Sequence, residues 1–463
     1  MNFPPNPARL LLAALLAAVL ASCGDAAVPS GGATNPAATT PAPSTAPTTG
    51  ATATPQPSLD RAAGWRSDLA SLIPGMAAIH PNLTHGASRA DLDAAVAALS
   101  ASVDTANDDQ LMVGVLRIVA MVSAAGCDAH TGAYIWGSGT YPVDSLPLRL
   151  WLFTNEDDVD EVVVVDALPP YRDLIGSRID TIEGHPVRDV IAAIDPIVPR
   201  DNAQTVRLLM PRFLLIPQVL RGLGLAGAGP ITLATSAVGG ATSTIDVEPV
   251  PIAAYNAWAG PYGLHLPADP AVLYLSRIDD ALWWAPIADQ LEPGTHTLFV
   301  QYNRADRLPT TLFDDLRTAL QAPNVSRVIL DLRHNYGGEL TALDEIQPLF
   351  EDPAVDRQDR LFVLTGRNTF SAGSLLVARL DRNTSAQVVG EAMGGCPTIW
   401  SDPADLVLPA SGIVVNVADD IAVGVDPNDT RLTIEPDVFA VLSREDWASR
   451  VDPALRLFDI AAP

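Results

Sequence analysis

From about residue 270 onward the chain repeats one pattern: a short apolar run, a turn, then an amphipathic stretch. "HTLFVQYN" precedes "TTLFDDLRTALQA", in which Leu312, Phe313, Leu316 and Leu320 fall on one helical face. "RVILDLR" precedes "ELTALDEIQPLF", and "RLFVLTG" precedes "TFSAGSLLVARL". Short apolar runs that do not alternate read as strands buried on both faces, and the periodic stretches after them read as the helices that cover those faces. The pattern predicts an α/β layer over residues 265–463 and directs attention to the strand ends, where such folds place their sites.

The remaining segments have other textures. Residues 59–139 read as a helical domain. Ser88 is an N-cap with Asp91 three positions on; Leu92, Val96, Leu99 and Val103 recur at helical spacing, as do Leu111, Val115, Ile118 and Val122. Residues 140–255 become strand-like, with "LPLRLWLF", an acidic turn and "VVVVDAL", and carry a helical insertion near 200–225. The acidic cluster Glu156, Asp157, Asp158, Asp160 and Glu161 lacks the glycine-centred loop of a calcium site and reads as a solvated hairpin turn.

The N-terminus has the marks of export. Arg9 precedes the apolar run "LLLAALLAAVL", which is too short for a stable membrane-spanning helix and suits a signal peptide. Leu20-Ala21-Ser22-Cys23 resembles a bacterial lipobox, so residues 1–23 are expected to be a lipoprotein signal with Cys23 lipid-modified. Residues 24–58, rich in Pro, Thr and Ala, cannot build a core and are expected to be a disordered linker. The expected location is the outer face of a bacterial cell membrane. The formal charge of −26 excludes the basic patches that nucleic acid or electrostatic docking on anionic lipid would need, so any membrane attachment must come from the lipid.

Two strand-end segments carry the chemistry. In "VILDLRHNYGGEL" the strand is expected to end at Arg333, with Gly337 and Gly338 at the following turn, where glycines let backbone N–H groups point into a cleft; a plain tight turn would use the same glycines. In "TFSAGSLLVARL" Ser371 stands at a helix start with the Ala372 N–H beside it. Ser371 is either a nucleophile, whose negative charge the helix terminus would favour, or an ordinary cap. A nucleophilic serine needs a base. The chain contains no lysine, all 28 basic residues being arginine, so the base must be a carboxylate or one of seven histidines at 80, 85, 130, 185, 265, 296 and 334.

"DLRHNYGG" about 35 residues before "TFSAGSLLVARL", then "AQVVGEAMGG", "IEPDV" and "SREDWASRVDPAL", together with the earlier "CDAHTGAY", resemble the C-terminal-processing (tail-specific) serine peptidases and their tricorn-type relatives. The resemblance implies a crotonase-like α/β catalytic core, a PDZ-like module over 140–255 and peptide or protein substrates. It implies Ser371 as nucleophile, with Gly337, Gly338 and Ala372 as oxyanion donors. The position of the processing peptidases' lysine is Cys396 here, and the acid three residues after the serine is Ser374. The tricorn-type branch uses a histidine from an N-terminal segment, a role that His130 in "DAHT" matches, with His334 as rival. Its acidic partner falls at Asp429, with Asp426 and Glu435 as alternatives. No cofactor is implied, and the cysteines and histidines show no metal-ligand spacing. With Cys23 assigned to lipid, Cys127 and Cys396 remain as an even pair in an exported protein, which suggests a disulfide rather than two free thiols. The competing expectation for the whole chain is a non-catalytic peptide- or ligand-binding surface lipoprotein of the same fold.

Overall fold

A computed structural model describes residues 60–137, 141–154, 160–260, 264–289 and 293–460. Residues 1–59, including Cys23 and the expected linker, and Glu156, Asp157 and Asp158 lie outside the described residues. Among the described residues no helix is long and apolar enough to cross a membrane.

Three helices come first: α1 (Arg61–Ile79), α2 (Arg89–Ser102) and α3 (Asp108–Ala120). Ser88 caps α2 by accepting the Asp91 N–H, and Asn107 and Gln110 form a reciprocal capping box at the start of α3. The periodicity that reaches Val122 in sequence outlasts the α-helix. After Ala120 the chain tightens into a 3₁₀ turn, Val122–Ala125, that keeps Val122 buried and ends at Gly126 with φ 89°. That turn delivers the chain into Cys127–His130.

An antiparallel sheet follows in the order β1 (Leu148–Thr154), β2 (Asp160–Ala167), β3 (Arg178–Ile182), β4 (Ile231–Ser236), β5 (Thr242–Val247). Between β3 and β4 come α4 (Val187–Ile194), α5 (Ala203–Leu214) and α6 (Pro217–Gly222), and α7 (Ile252–Ala259) follows β5. One continuous apolar core joins α1–α3 to this sheet and its insertion. Asp160 and Glu161 are taken up in ion pairs with Arg207 and with Arg178 and Arg444.

A second sheet runs in the order β13 (Val438–Phe439), β10 (Gln387–Gly390), β9 (Leu361–Thr365), β8 (Val325–Asp331), β7 (His296–Tyr302), β6 (Leu282–Ala288). Its neighbours are parallel except for β6 against β7. Side chains alternate between two buried faces. Leu298, Val300, Val328, Leu330, Val363 and Val388 join the core under α8 (Thr310–Leu320), α9 (Leu343–Phe350) and α10 (Ala372–Asn383). Phe299, Ile329, Phe362, Leu364 and Val389 join a core on the opposite face with Phe153, Val163 and Val165 of the first sheet. Burial on both faces explains the unbroken apolar strands in the sequence.

The sequence pattern does not announce a long hairpin, β11 (Thr398–Val407) and β12 (Val414–Val423), which leaves the second sheet and reaches back to the helical segment. Its Trp400 N–H donates to the Cys127 carbonyl, Asn416 and Gly132 exchange main-chain hydrogen bonds, and Asp68 on α1 accepts the N–H groups of Ala410 and Ser411.

Candidate active site

β9 ends at Thr365, and the chain turns through residues 366–370 before α10. The turn is tied to the neighbouring strand end: Thr369 Oγ1 donates to the Leu332 carbonyl and the Phe370 N–H to the Asn335 carbonyl. Ser371 follows with φ 54° and ψ −127°, a conformation that costs a non-glycine residue about 1–3 kcal/mol. Strain of this kind persists only where the surroundings over-determine it. One consequence is that the Ser371 side chain does not cap α10, which disposes of the commonest use of serine at a helix start. Its Oγ lies 3.2 Å from His130 Nε2, across 241 residues of chain.

β8 ends at Asp331, two residues earlier than expected, and Asp331 turns its carboxylate onto the Arg333 N–H and guanidinium. After the turn a 3₁₀ segment, Leu340–Ala342, leads into α9. Gly337 has φ 106°, and a Cβ there would stand 2.5 Å from Ser371 Cβ and 2.9 Å from Ser371 Oγ. Only glycine lets this loop close over the serine. The Gly337 N–H, however, donates to Asn335 Oδ1 at 3.0 Å. This corrects the expectation that it is an oxyanion donor. Gly338, with φ 135°, remains beside it, and the Ala372 N–H sits in the first turn of α10, where helical N–H groups have no intrahelical acceptor. Asn335 also donates from Nδ2 to the Tyr302 carbonyl, so one buried amide fixes this loop against β7.

His130 is held by a loop that follows the first three helices. Cys127, with φ 60°, bonds its N–H to the Asp201 carbonyl, and the Ala129 N–H donates to Asp201 Oδ1 at 2.6 Å. Asp128 Oδ1 accepts the Thr131 N–H, and Tyr134 donates its hydroxyl to the Ala129 carbonyl. Cys127 and Cys396 are joined in a disulfide, with Cα atoms 5.5 Å apart and a sequence separation of 269. The bond ties the histidine loop to the sheet that carries the serine.

The His130 ring stacks on Phe370, centroids 4.9 Å apart. Part of the residue keeps solvent contact, but Nδ1 is sealed and no side chain among the described residues hydrogen-bonds it. Burial lowers its pKa to about 4, against the opposing pull of the Asp128 charge and the Trp400 main chain. At neutral pH the imidazole is uncharged, so Nε2 can accept the Ser371 proton.

The other residues singled out from sequence lie elsewhere. Asp429 is not hydrogen-bonded to His130. It forms a fork with the Arg431 guanidinium, which reaches on to Asp381. Asp426 accepts hydrogen bonds from Asn428 within its own loop, and Glu435 is exposed. His334 is buried against Tyr274, ring centroids 5.5 Å apart, with its pKa held well below the ordinary value by burial and by the neighbouring His265 and Arg333. Ser374 donates its hydroxyl to the Ser371 carbonyl at 2.7 Å and serves the turn. Sequence reasoning missed Asp128, Asp201 and Asn335. Asp128 lies two residues from His130 and was within reach of inspection; Asp201 and Asn335 carried no local signal. It also missed that His80 and His85 come together on Asp128: their ring nitrogens and a carboxylate oxygen of Asp128 all lie within 4.8 Å of one another, grouping residues that no sequence spacing connects.

Fold and site together define a mixed α/β protein with a serine at a strained strand-to-helix turn facing a histidine from a remote helical segment. The particular solved structures it is similar to include mature CPAF complexed with lactacystin, at 12% identity over 86% of this chain and 97% of that chain, with a TM-score of 0.59. They also include a CPAF mutant, at 12% identity over 86% of this chain and 100% of that chain, with a TM-score of 0.60. At this identity the likeness establishes a shared fold. No family model and no curated protein sequence matches the chain.

Proposed function

We propose that the chain is a serine peptidase that hydrolyses peptide bonds through an acyl-enzyme, with Ser371 as nucleophile and His130 as its base. The observation that carries the reading is the 3.2 Å approach of His130 Nε2 to an uncapped Ser371 Oγ. The fold shared with the CPAF structures and the motif resemblance to tail-specific and tricorn-type peptidases support it. On this reading the second sheet with α8–α10 is a crotonase-like core over 265–463, residues 140–255 are a PDZ-like module with a helical insertion, and 59–139 is the helical segment that brings the base.

Ser371 Oγ attacks the substrate carbonyl carbon as its proton passes to His130 Nε2. The oxyanion is met by the Ala372 N–H, with the partial positive end of α10 behind it, and by the Gly338 N–H. The imidazolium returns its proton to the leaving amine. Water then attacks the acyl-enzyme, with His130 again as base, and releases Ser371. The substrate is a peptide or protein segment, and the enzyme is anchored outside the cell through lipid on Cys23.

A fluorophosphonate probe tests both parts on fractionated cells of a bacterium that processes lipoproteins. The wild type labels in the membrane fraction, Ser371→Ala abolishes labelling, and His130→Ala slows it by on the order of 10³-fold. Cys23→Ala moves the labelled protein out of that fraction or blocks its maturation. A wild type that never labels leaves the non-catalytic binding lipoprotein as the better reading; labelled wild type in the soluble fraction removes the anchor.

A further inference from the structure

His130 lacks the hydrogen-bonded acid that a serine–histidine pair ordinarily has: among the described residues no carboxylate bonds Nδ1, the ring faces the Trp400 main chain, and Asp429 is spent on Arg431. A different carboxylate is arranged around it. Asp128 is fully buried two residues away. Its Oδ2 receives two imidazoles, His80 Nε2 at 3.2 Å and His85 Nε2 at 2.9 Å, while Oδ1 accepts the Thr131 N–H at 3.1 Å. The two rings stack on each other, centroids 5.4 Å apart, and both pack against the Trp400 indole at 4.6 and 5.1 Å. The main chain of Trp400 in turn holds Cys127 and faces His130.

The three ligand atoms lie within 4.8 Å of one another, a spacing that fits a cation. Proton bookkeeping argues otherwise. The Asn82 N–H donates to His80 Nδ1 at 3.0 Å, so the ring hydrogen of neutral His80 sits on Nε2 and points at Asp128. A metal would need that Nε2 lone pair, and a metal-ligating histidine normally donates its other N–H rather than accepting there. The cluster is a carboxylate clasped by N–H donors.

We propose that Asp128, clasped by His80 and His85, is the positioning carboxylate of His130, acting through the loop it pins and through its charge in place of a hydrogen-bonded acid. This rests on the peptidase reading above. Thr131 and Asp128 close the turn that aims the imidazole, and the negative charge stabilises the imidazolium that forms when Ser371 gives up its proton. The hydrogen bonds from His80, His85 and Thr131 hold the Asp128 carboxyl below its ordinary range, outweighing a larger opposing push from burial. The groups facing the pair are few: Ser371, the Phe370 ring and the Trp400 main chain at His130, and His80, His85 and Asp201 at Asp128.

The test is the second-order rate of fluorophosphonate labelling from pH 4 to 9 in the full-length protein. Asp128→Asn keeps the acceptor oxygen and loses the charge; it is expected to lower the plateau by about tenfold or more and to move the acid limb to lower pH. His85→Phe and His80→Phe each remove a donor, so Asp128 takes up a proton at higher pH. The acid limb moves up while the rate at pH 8 stays within about threefold. His85→Gln, which restores an N–H donor, brings the limb back. Lowered plateaus with unmoved limbs would mark a merely structural cluster and overturn the proposal, as would a stoichiometric metal ion in the purified protein that is lost in His85→Phe. A second readout does not depend on activity. In Ser371→Ala protein the His130 imidazole, assigned by comparison with His130→Ala, is expected to titrate at lower pH by NMR when Asp128→Asn is added, and no shift would also overturn the proposal. Absent labelling in wild type with this NMR shift intact would sink the peptidase reading and leave the pairing standing.

Discussion

The two halves of the site are built in opposite ways. On the nucleophile side the backbone does the positioning: a strand end, a positive-φ serine and a glycine loop lie within about forty residues of each other, and the bonds that close the serine turn and the glycine loop each have a main-chain group on at least one side. On the base side a short loop is held by side chains from far along the chain, namely His80, His85, Asp201 and the Cys396 sulfur. Backbone geometry is tolerant of pH and redox state; a net of buried titratable groups and a disulfide is not. The difference predicts that the serine half fails by steric change and the histidine half by chemical change.

The largest effect should come from the steric side. Gly337→Ala places a Cβ 2.5 Å from Ser371 Cβ at φ 106°, so either the loop or the serine must move. A displacement of about 1 Å at a reacting group costs on the order of 10²-fold, and the probe-labelling rate should fall at least that far. The base half should be untouched, with the disulfide formed and His130 titrating as in wild type. A Gly337→Ala protein that labels at the wild-type rate would break the claim that backbone closure sets the nucleophile.

Next in size is the covalent tie. Closing a 269-residue separation removes chain entropy from the unfolded state worth up to roughly 5 kcal/mol in the loop-entropy account. Cys127→Ser with Cys396→Ser should therefore lower the denaturant midpoint markedly and loosen the His130 loop, seen as faster hydrogen exchange at residues 127–131 than around Ser371. Equal exchange on both sides would show that Asp201 and Asp128 hold the loop without the disulfide, and would sharpen the comparison toward electrostatics.

The same division decides what could be read from sequence. The parallel sheet, its covering helices and the Ser371 turn rest on local periodicity and on small residues at strand ends, so "VILDLRHNYGGEL" and "TFSAGSLLVARL" point to two strand ends that lie side by side in the structure. His130 was reached only through the resemblance of "DAHT" to the tricorn-type segment. The third member was assigned to Asp429 by position near "IEPD", but an arginine two residues on captures that carboxylate on an open loop. Nearness to His130 is the one local mark of Asp128; what separates the two carboxylates is burial and two imidazoles arriving from the end of α1 and the turn after it. The β11–β12 hairpin was missed for a similar reason. Pro403 and the aspartates along it interrupt the strand pattern, and its partners lie across the molecule.

The smallest expected effect concerns Asp201, whose carboxyl is pushed up to about 7 by burial and by the Asp128 charge, against the hydrogen bonds it accepts from the Ala129 and Cys396 N–H groups. A folded-state pKa above the ordinary carboxylate value means that this group's contribution to stability is full below pH 3.8 and is lost as pH rises through about 7. His130 works in the other direction. Its folded pKa of about 4 lies below the ordinary 6.5, so the folded state loses stability as pH falls from 6.5 toward 4. Between pH 4 and 6.5 the two slopes oppose each other and nearly cancel, so together they predict a melting temperature that is level there and declines as pH rises from 6.5 to about 7. Asp201→Asn removes the alkaline decline and leaves the His130 slope unopposed, so the variant's melting temperature rises from pH 4 to 6.5. Relative to wild type, the variant should gain about 3 °C between pH 5 and pH 8 by calorimetry. A melting curve whose alkaline slope is the same in both proteins would show that Asp201 is already ionised in the folded state. The base half would then be no more sensitive to pH on that side than the nucleophile half.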